Sequence, residues 1–154
     1  MSATDRPSRY WEDLTVGETT RAGPLTVTAE DILAFAARYD PQWFHADAEA
    51  AKASLFGGLI ASGIHTAALW RILDHRANGD IAWVCGVQWD TVRWPRAVRP
   101  GDALVATSEV LSKRPSASRP GVGLAVLRHA LTNQDGETVL SFTSTDMVYR
   151  RPAG

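Results

Sequence analysis

The spacing of apolar residues changes once along the chain. From Gly17 to Val27, Thr and Val alternate loosely with other residues, which predicts a first strand. Thr28-Ala-Glu-Asp31 resembles a capping box with Asp in place of the usual Glu or Gln. Behind it Ile32, Leu33, Phe35 and Ala36 fall at helical spacing. This helix is expected to stop by Asp40, because Pro41 disfavours the α region for the residue before it. A second short helix is expected from Asp47 through Ala53, with Gly57-Gly58 turning the chain. Ser62 is a good N-cap for a longer helix from Gly63 to about His75. Its apolar positions Ile64, Ala67, Ala68, Leu69, Ile72 and Leu73 cover a wide arc and predict a mostly enclosed helix. Asn78-Gly79 closes it, with Arg71, His75 and Arg76 near the negative end of the dipole.

The second half is strand-like. Ile81–Trp94, Ala103–Lys113, Val122–Asn133 and Thr138–Arg150 are rich in Val, Thr, Trp and Leu. Pro95, Pro100-Gly101, Pro115 to Gly121 and Asp135-Gly136 separate them. Four long strands joined by hairpin-like connections predict an antiparallel sheet. With one strand ahead of the helices, the class is α+β, a sheet with one long helix against one face.

Composition narrows the reading. At 154 residues, one domain spanning 1–154 is the default, with the first residues to about Ser8 a frayed tail. Sixteen Lys and Arg against seventeen Asp and Glu leave a net charge of −1, which argues against nucleic acid or an anionic membrane as the partner. The uncharged run from Ala53 to Trp70 is broken by Gly57-Gly58, Ser62-Gly63 and His65. It reads as a buried helix with its approach loop and not as a membrane span. One cysteine, Cys85, cannot pair internally, and Met1–Pro7 lacks an apolar targeting segment; a soluble, cytoplasmic protein is expected.

The densest chemistry lies in Tyr39-Asp40-Pro-Gln-Trp-Phe-His45. On one helix Asp40 and His45 would lie about 140° apart, but Pro41 excludes that helix. An irregular loop can turn both side chains to one point, where a carboxylate and an imidazole sharing a water make a general acid–base pair. A helix-end Asp and a packed His explain the same letters. Phe56-Gly-Gly-Leu-Ile-Ala-Ser-Gly63 runs into a helix whose first amides can stabilise an oxyanion, or are simply capped. His65 could line the same pocket or be a core histidine. His75 and His129 read as surface or satisfied sheet positions, and Cys85 as a packed thiol. No metal-ligand spacing is present. Arg93, Arg96, Arg99, Lys113, Arg114 and Arg119 fit a small phosphorylated ligand better than a polyanion, and a solvated surface about as well.

Asp40-Pro-Gln-Trp-Phe-His-Ala-Asp47, then Ala51, then Leu55-Phe-Gly-Gly-Leu-Ile-Ala-Ser-Gly63, resembles the MaoC-like acyl dehydratases, which include the (R)-specific enoyl-CoA hydratases. The family signature is Gly-Asp-x-Asn-Pro-x-His followed by a small-Gly helix start. Ala97-Val-Arg-Pro-Gly-Asp102, Arg114 to Pro120 and Thr132 to Gly136 also look typical, and the similarity runs from about Tyr10 to Arg150. Here Tyr39 stands for the Gly, Gln42 for the Asn and Trp43 for the Pro. The resemblance implies a hot-dog fold, an antiparallel sheet wrapped round the long helix. It implies reversible hydration of a 2-enoyl-CoA to a 3-hydroxyacyl-CoA. Asp40 and His45 would hold the water, and Gly63 would polarise the thioester carbonyl. Ser62, His65, Arg93, Arg96 and Arg119 are the substrate-binding candidates, the arginines for coenzyme A. No metal or redox cofactor is implied; coenzyme A enters as part of the substrate. A homodimer or dimer of dimers is expected, pairing an otherwise open sheet edge. A thioesterase on the same fold would need a carboxylate aimed at the carbonyl carbon, against which the Asp-to-His spacing speaks. A non-catalytic acyl-CoA-binding or partner-binding subunit is the other alternative.

Overall fold

The computed structural model describes residues 6–154. The expected tail therefore lies partly outside the described residues. Its last residue is held, since the Ser8 amide donates to the Asp80 carbonyl at 2.8 Å. Strand β1 (Thr19–Thr26) is followed by α1 (Ala29–Tyr39), a one-turn α2 (Trp43–Ala46), and α3 (Gly63–Asn78). Four strands complete the chain: β2 (Trp83–Arg93), β3 (Ala103–Pro115), β4 (Val122–Thr132) and β5 (Thr138–Tyr149). Thr28 caps α1 by accepting from the Asp31 amide, and Ser62 caps α3 by accepting from the Ile64 amide, as the residue types require.

Two helical expectations change. The segment after Asp40 is not all loop, because Trp43–Ala46 forms a helical turn. The helix expected from Asp47 begins later and tightens to a 3-10 turn at Ala50–Ala53. Asp47 itself accepts from the Glu49 and Ala50 amides with one carboxylate oxygen, which spends the first turn on a side-chain cap.

All five strands form one antiparallel sheet in the order β1-β3-β4-β5-β2. Only β3–β4 and β4–β5 are joined by hairpin turns. The expected β2–β3 hairpin is absent, because β2 crosses to the far edge and pairs with β5. Inner faces of β3, β4 and β5 alternate at period two and bury Leu104, Leu127, Leu131, Leu140 and Val148.

The helix α3 lies against this face, though not as an apolar cylinder. Ile64 and Ile72 are 62% and 47% exposed, while His65, Asp74 and Asn78 are buried. Asn78 donates to Asp74 Oδ1 (2.9 Å) and to Ser108 Oγ (3.1 Å), and Ser108 meets Thr20 Oγ1 at 2.7 Å. His129 lies opposite Ser108 in the ladder, and its Nε2 is 2.8 Å from Ser144 Oγ. This polar seam separates an apolar cluster around Leu73, Leu104 and Leu140 from another around Leu14, Val110 and Leu127. His129 is therefore a core residue, 3% exposed, with burial holding its pKa down at about 4. Cys85 is corrected in the other direction. It lies on edge strand β2, exposed, with Sγ 4.0 Å from Met147 Sδ. Among the described residues no helix is long and apolar enough to cross a membrane.

Candidate active site

The C-terminus of α1, the one-turn α2 and the N-terminus of α3 meet at one corner. Pro41 stops α1, leaving Asp40 as its C-cap, with the Asp40 amide bonded to the Ala36 carbonyl at 3.0 Å. Gln42 then begins α2, which carries His45. The break between the helices releases the side chains from helical spacing, and Asp40 Oδ2 lies 3.8 Å from His45 Nε2. That is too long for a direct hydrogen bond and short enough for one water to bond both. The imidazole side chain is 7% exposed and the carboxylate 18%, so the pair opens to solvent on the Asp40 side.

His45 Nδ1 is 2.8 Å from the Ile60 carbonyl oxygen. A carbonyl can only accept, so Nδ1 carries the proton. In the neutral ring Nε2 then faces Asp40 with a lone pair. Asp40 Oδ1 accepts from the Gln42 amide at 3.0 Å. The Ser62 hydroxyl, and after it the Gln42 amide, hold the Asp40 carboxyl below the usual carboxylate range against the opposing effect of burial. The corner thus offers a carboxylate and an imidazole nitrogen as two acceptors for the hydrogens of one water.

Ser62 spends its hydroxyl oxygen on the Ile64 amide, and the Gly63 amide before it has no partner among the described residues. It is the first amide of a sixteen-residue helix, where the dipole favours negative charge. A Cβ on Gly63 would lie 3.0 Å from Trp94 Cε2, and the Trp94 indole donates to the Gly63 carbonyl at 3.1 Å. A methyl group there would be crowded by the indole, which would have to give by a few tenths of an ångström.

Asp40, His45, Ser62 and Gly63 are brought together. His65 is buried one helical turn further on, stacked against Phe35 at 4.5 Å between ring centroids, its Nδ1 without a partner and its pKa lowered by burial. Arg93 and Arg96 lie beside Trp94, and Arg96 pairs with Glu137 at 2.9 Å. Arg119 is exposed in the β3–β4 turn at the opposite end of the sheet. From its level to that of Arg93 is roughly 30 Å of strand. Within one chain the three arginines do not form one phosphate site. The letters alone missed Gln42 as a partner of Asp40, the Ile60 carbonyl and Trp94. Only Gln42, two residues from Asp40, was close enough in sequence to be found.

A family model described as the MaoC like domain matches residues 13–129. The chain belongs to the MaoC-like dehydratase family. A MaoC-like dehydratase from Rhodospirillum rubrum is 40% identical, with a TM-score of 0.88 over 95% of this chain and 100% of that one. A mesaconyl-CoA hydratase from Cereibacter sphaeroides is 30% identical over 93% of this chain, which spans 42% of that protein's length. A Mycobacterium tuberculosis protein described as having a double hotdog fold matches with a TM-score of 0.83 at 22% identity, over 95% of this chain and 46% of that one. The fold is the hot-dog fold. In this MaoC-like chain Gln42, at the Asn position of the signature, donates to the Asp40 carboxylate.

Proposed function

We propose that this MaoC-like protein is a hydro-lyase that reversibly adds water to a 2-enoyl-CoA to give a 3-hydroxyacyl-CoA. The observation that carries this reading is the 3.8 Å separation of Asp40 Oδ2 and His45 Nε2, with Nδ1 of the same ring committed to Ile60. A water between them donates both hydrogens and turns its lone pairs outward, toward the β-carbon. Its oxygen bonds that carbon while one proton passes to the pair, and the pair returns a proton to the α-carbon. The sum is addition of one water. The Gly63 amide, without a partner among the described residues, receives the charge that develops on the thioester oxygen. The mesaconyl-CoA hydratase relative supports an acyl-CoA as substrate. A homodimer is part of the same reading. Edge strand β2 leaves Val87 and Trp89 half-exposed, and α3 leaves Ile64 and Ile72 open.

The test follows absorbance of the conjugated thioester with crotonyl-CoA, and free thiol in parallel. Loss of the enone signal without thiol release is expected. Asp40→Asn is expected to lower turnover by at least about 10²-fold while the protein stays folded. Adding His45→Ala should cost little more than the poorer single change, because the two act on one water. Thiol release would assign a thioesterase, and neither signal a binding subunit.

A further inference from the structure

A second constellation lies on the face of the sheet turned away from α3. Ser141 and Thr143 point outward there, because Leu140 and Phe142 between them are buried on the inner face. Arg93, Ser141 and Ala130 form one row across β2, β5 and β4, and Asp90, Thr143 and Arg128 form the next. Over them is a shallow depression of about 460 Å³, lined by Thr91, Arg93, Arg128, Thr138, Ser141 and Thr143 among others, with no carboxylate in the lining.

Strand β2 departs from regular geometry to put Arg93 in that place. Four of its residues, Asp90 to Arg93, oppose three on β5, Thr143 to Ser141. The extra residue is Thr91, at φ 53°, where a β-branched side chain is a genuine outlier. Strict alternation from Asp90 would turn Val92 out and Arg93 in. The bulge reverses both, so that Val92 packs on the core and Arg93 reaches the outer face opposite Ser141.

Arg93 makes no ion pair among the described residues, and Arg128, its side chain 63% exposed, has one long contact to Glu109 at 3.4 Å. The two arginines stand roughly 12 Å apart, two strands across and two residues along, with β5 between them. Among the described residues the hydroxyls of Thr138, Ser141 and Thr143 make no hydrogen bond. Donors thus ring a floor of small side chains, where Ala130 lets a ligand sit low. A carboxylate has two oxygens, enough for one guanidinium. A phosphate has acceptor oxygens all round and can be shared by both arginines and the hydroxyls. Asp90, held by the Gln88 amide at 2.8 Å, and Glu109 flank the cluster on either side. The site therefore suits one or two phosphate groups and is no track for a polyanion.

We propose that this pocket on the outer face of β2, β5 and β4 binds a phosphate or diphosphate group, held by Arg93 and Arg128 with the hydroxyls of Thr138, Ser141 and Thr143. The site does not depend on the hydratase reading. Its ligand is a free phosphorylated molecule or the coenzyme A arm of a substrate, since Trp94, which bonds Gly63, follows Arg93 in the chain. Pairing at the β2 edge engages backbone groups and leaves this face open.

Calorimetry with inorganic pyrophosphate, and with succinate as a carboxylate of the same charge sign, tests the site without turnover. Pyrophosphate is expected to bind, and Arg93→Gln and Arg128→Gln are each expected to weaken it about 10-fold. Arg76→Gln, the same loss of charge on exposed α3, should leave it unchanged. No pyrophosphate binding, succinate binding as tightly, or equal weakening in Arg76→Gln overturns the proposal. Kinetics with crotonyl-CoA and with crotonyl-N-acetylcysteamine, a thioester without phosphates, then distinguishes the sources. A KM raised in Arg93→Gln for crotonyl-CoA alone assigns the site to the substrate's own phosphates. An unchanged KM beside lost pyrophosphate binding assigns it to a separate phosphorylated ligand. Absence of hydration removes the hydratase reading and leaves the calorimetric result standing.

Discussion

At the scale of residues, the pair depends on neighbours that set its protonation. Gln42 donates to Asp40 Oδ1, and the Ser62 hydroxyl stands first among the groups that depress the Asp40 pKa. Gln42→Leu removes one of these hydrogen bonds, so the Asp40 pKa should rise toward the ordinary carboxylate value. The acid limb of kcat/KM against pH, which reports the free enzyme's ionisations, should then move to higher pH. Stability follows the same sign. A carboxyl with a depressed folded pKa stabilises above its unfolded pKa and loses that contribution as pH falls through the folded one. Gln42→Leu narrows that window. A pH–rate profile measured on both proteins checks this, and an unmoved acid limb would take Asp40 out of the rate-determining ionisation. The spacing of Asp40 and His45 around Pro41 was legible as a candidate. The Ile60 carbonyl was not, because it lies fifteen residues from His45 and is placed only by packing.

At the scale of elements, the N-terminus of α3 is where a local rule and a tertiary contact meet. Ser62 as cap was legible, because a hydroxyl before an apolar-periodic run satisfies an orphan amide. The reason for glycine at 63 was not, since Trp94 arrives thirty-one residues later and crowds the space of a side chain. Gly63→Ala should push the indole away and shift the first amide of the helix. Oxyanion donors are worth about 10²–10³ in turnover, so a loss of at least about 10-fold is expected from a partial shift. Trp94→Leu added to Gly63→Ala should recover part of it by making room for the methyl group. Steady-state kinetics on the single and double variants decides the matter; wild-type turnover in Gly63→Ala would show that this amide is not the donor. The one-turn α2 escaped a pattern reading because four residues make barely one helical turn, too few for an apolar position to recur.

At the scale of the whole molecule, the sheet order leaves β1 and β2 as edges. Strand β2 is eleven residues long and largely exposed, and Val87 on it is 52% exposed. A long apolar edge is a pairing site in water. Light scattering should therefore give twice the 16.7 kDa chain mass at micromolar concentration. Val87→Lys should shift the mass toward the monomer, since charge on an edge opposes pairing. A mass of one chain for the unaltered protein would remove the dimer. The exposed Ile64 and Ile72 of α3 belong to the same question, because an apolar helix stripe left open in one chain is a surface for another.

The sequence by itself determined what short-range physics decides. Runs rich in Val, Thr, Trp and Leu between turn residues set the strands, Thr28 and Ser62 set the helix starts, Pro41 set the break, and the Asp40-to-His45 spacing marked the candidate chemistry. Resemblance then led to the family. Tertiary structure decided the rest. It sent β2 to the far edge beside β5, because strand order depends on which faces bury together and not on chain order. It buried His129, Asp74 and Asn78 in a seam across the core, because partners on α3, β3 and β5 take up hydrogen bonds from them there. And it turned Asp40 and His45 toward one point, since the two helices broken at Pro41 pack on each other and the Ile60 carbonyl, from the segment before α3, fixes the His45 ring.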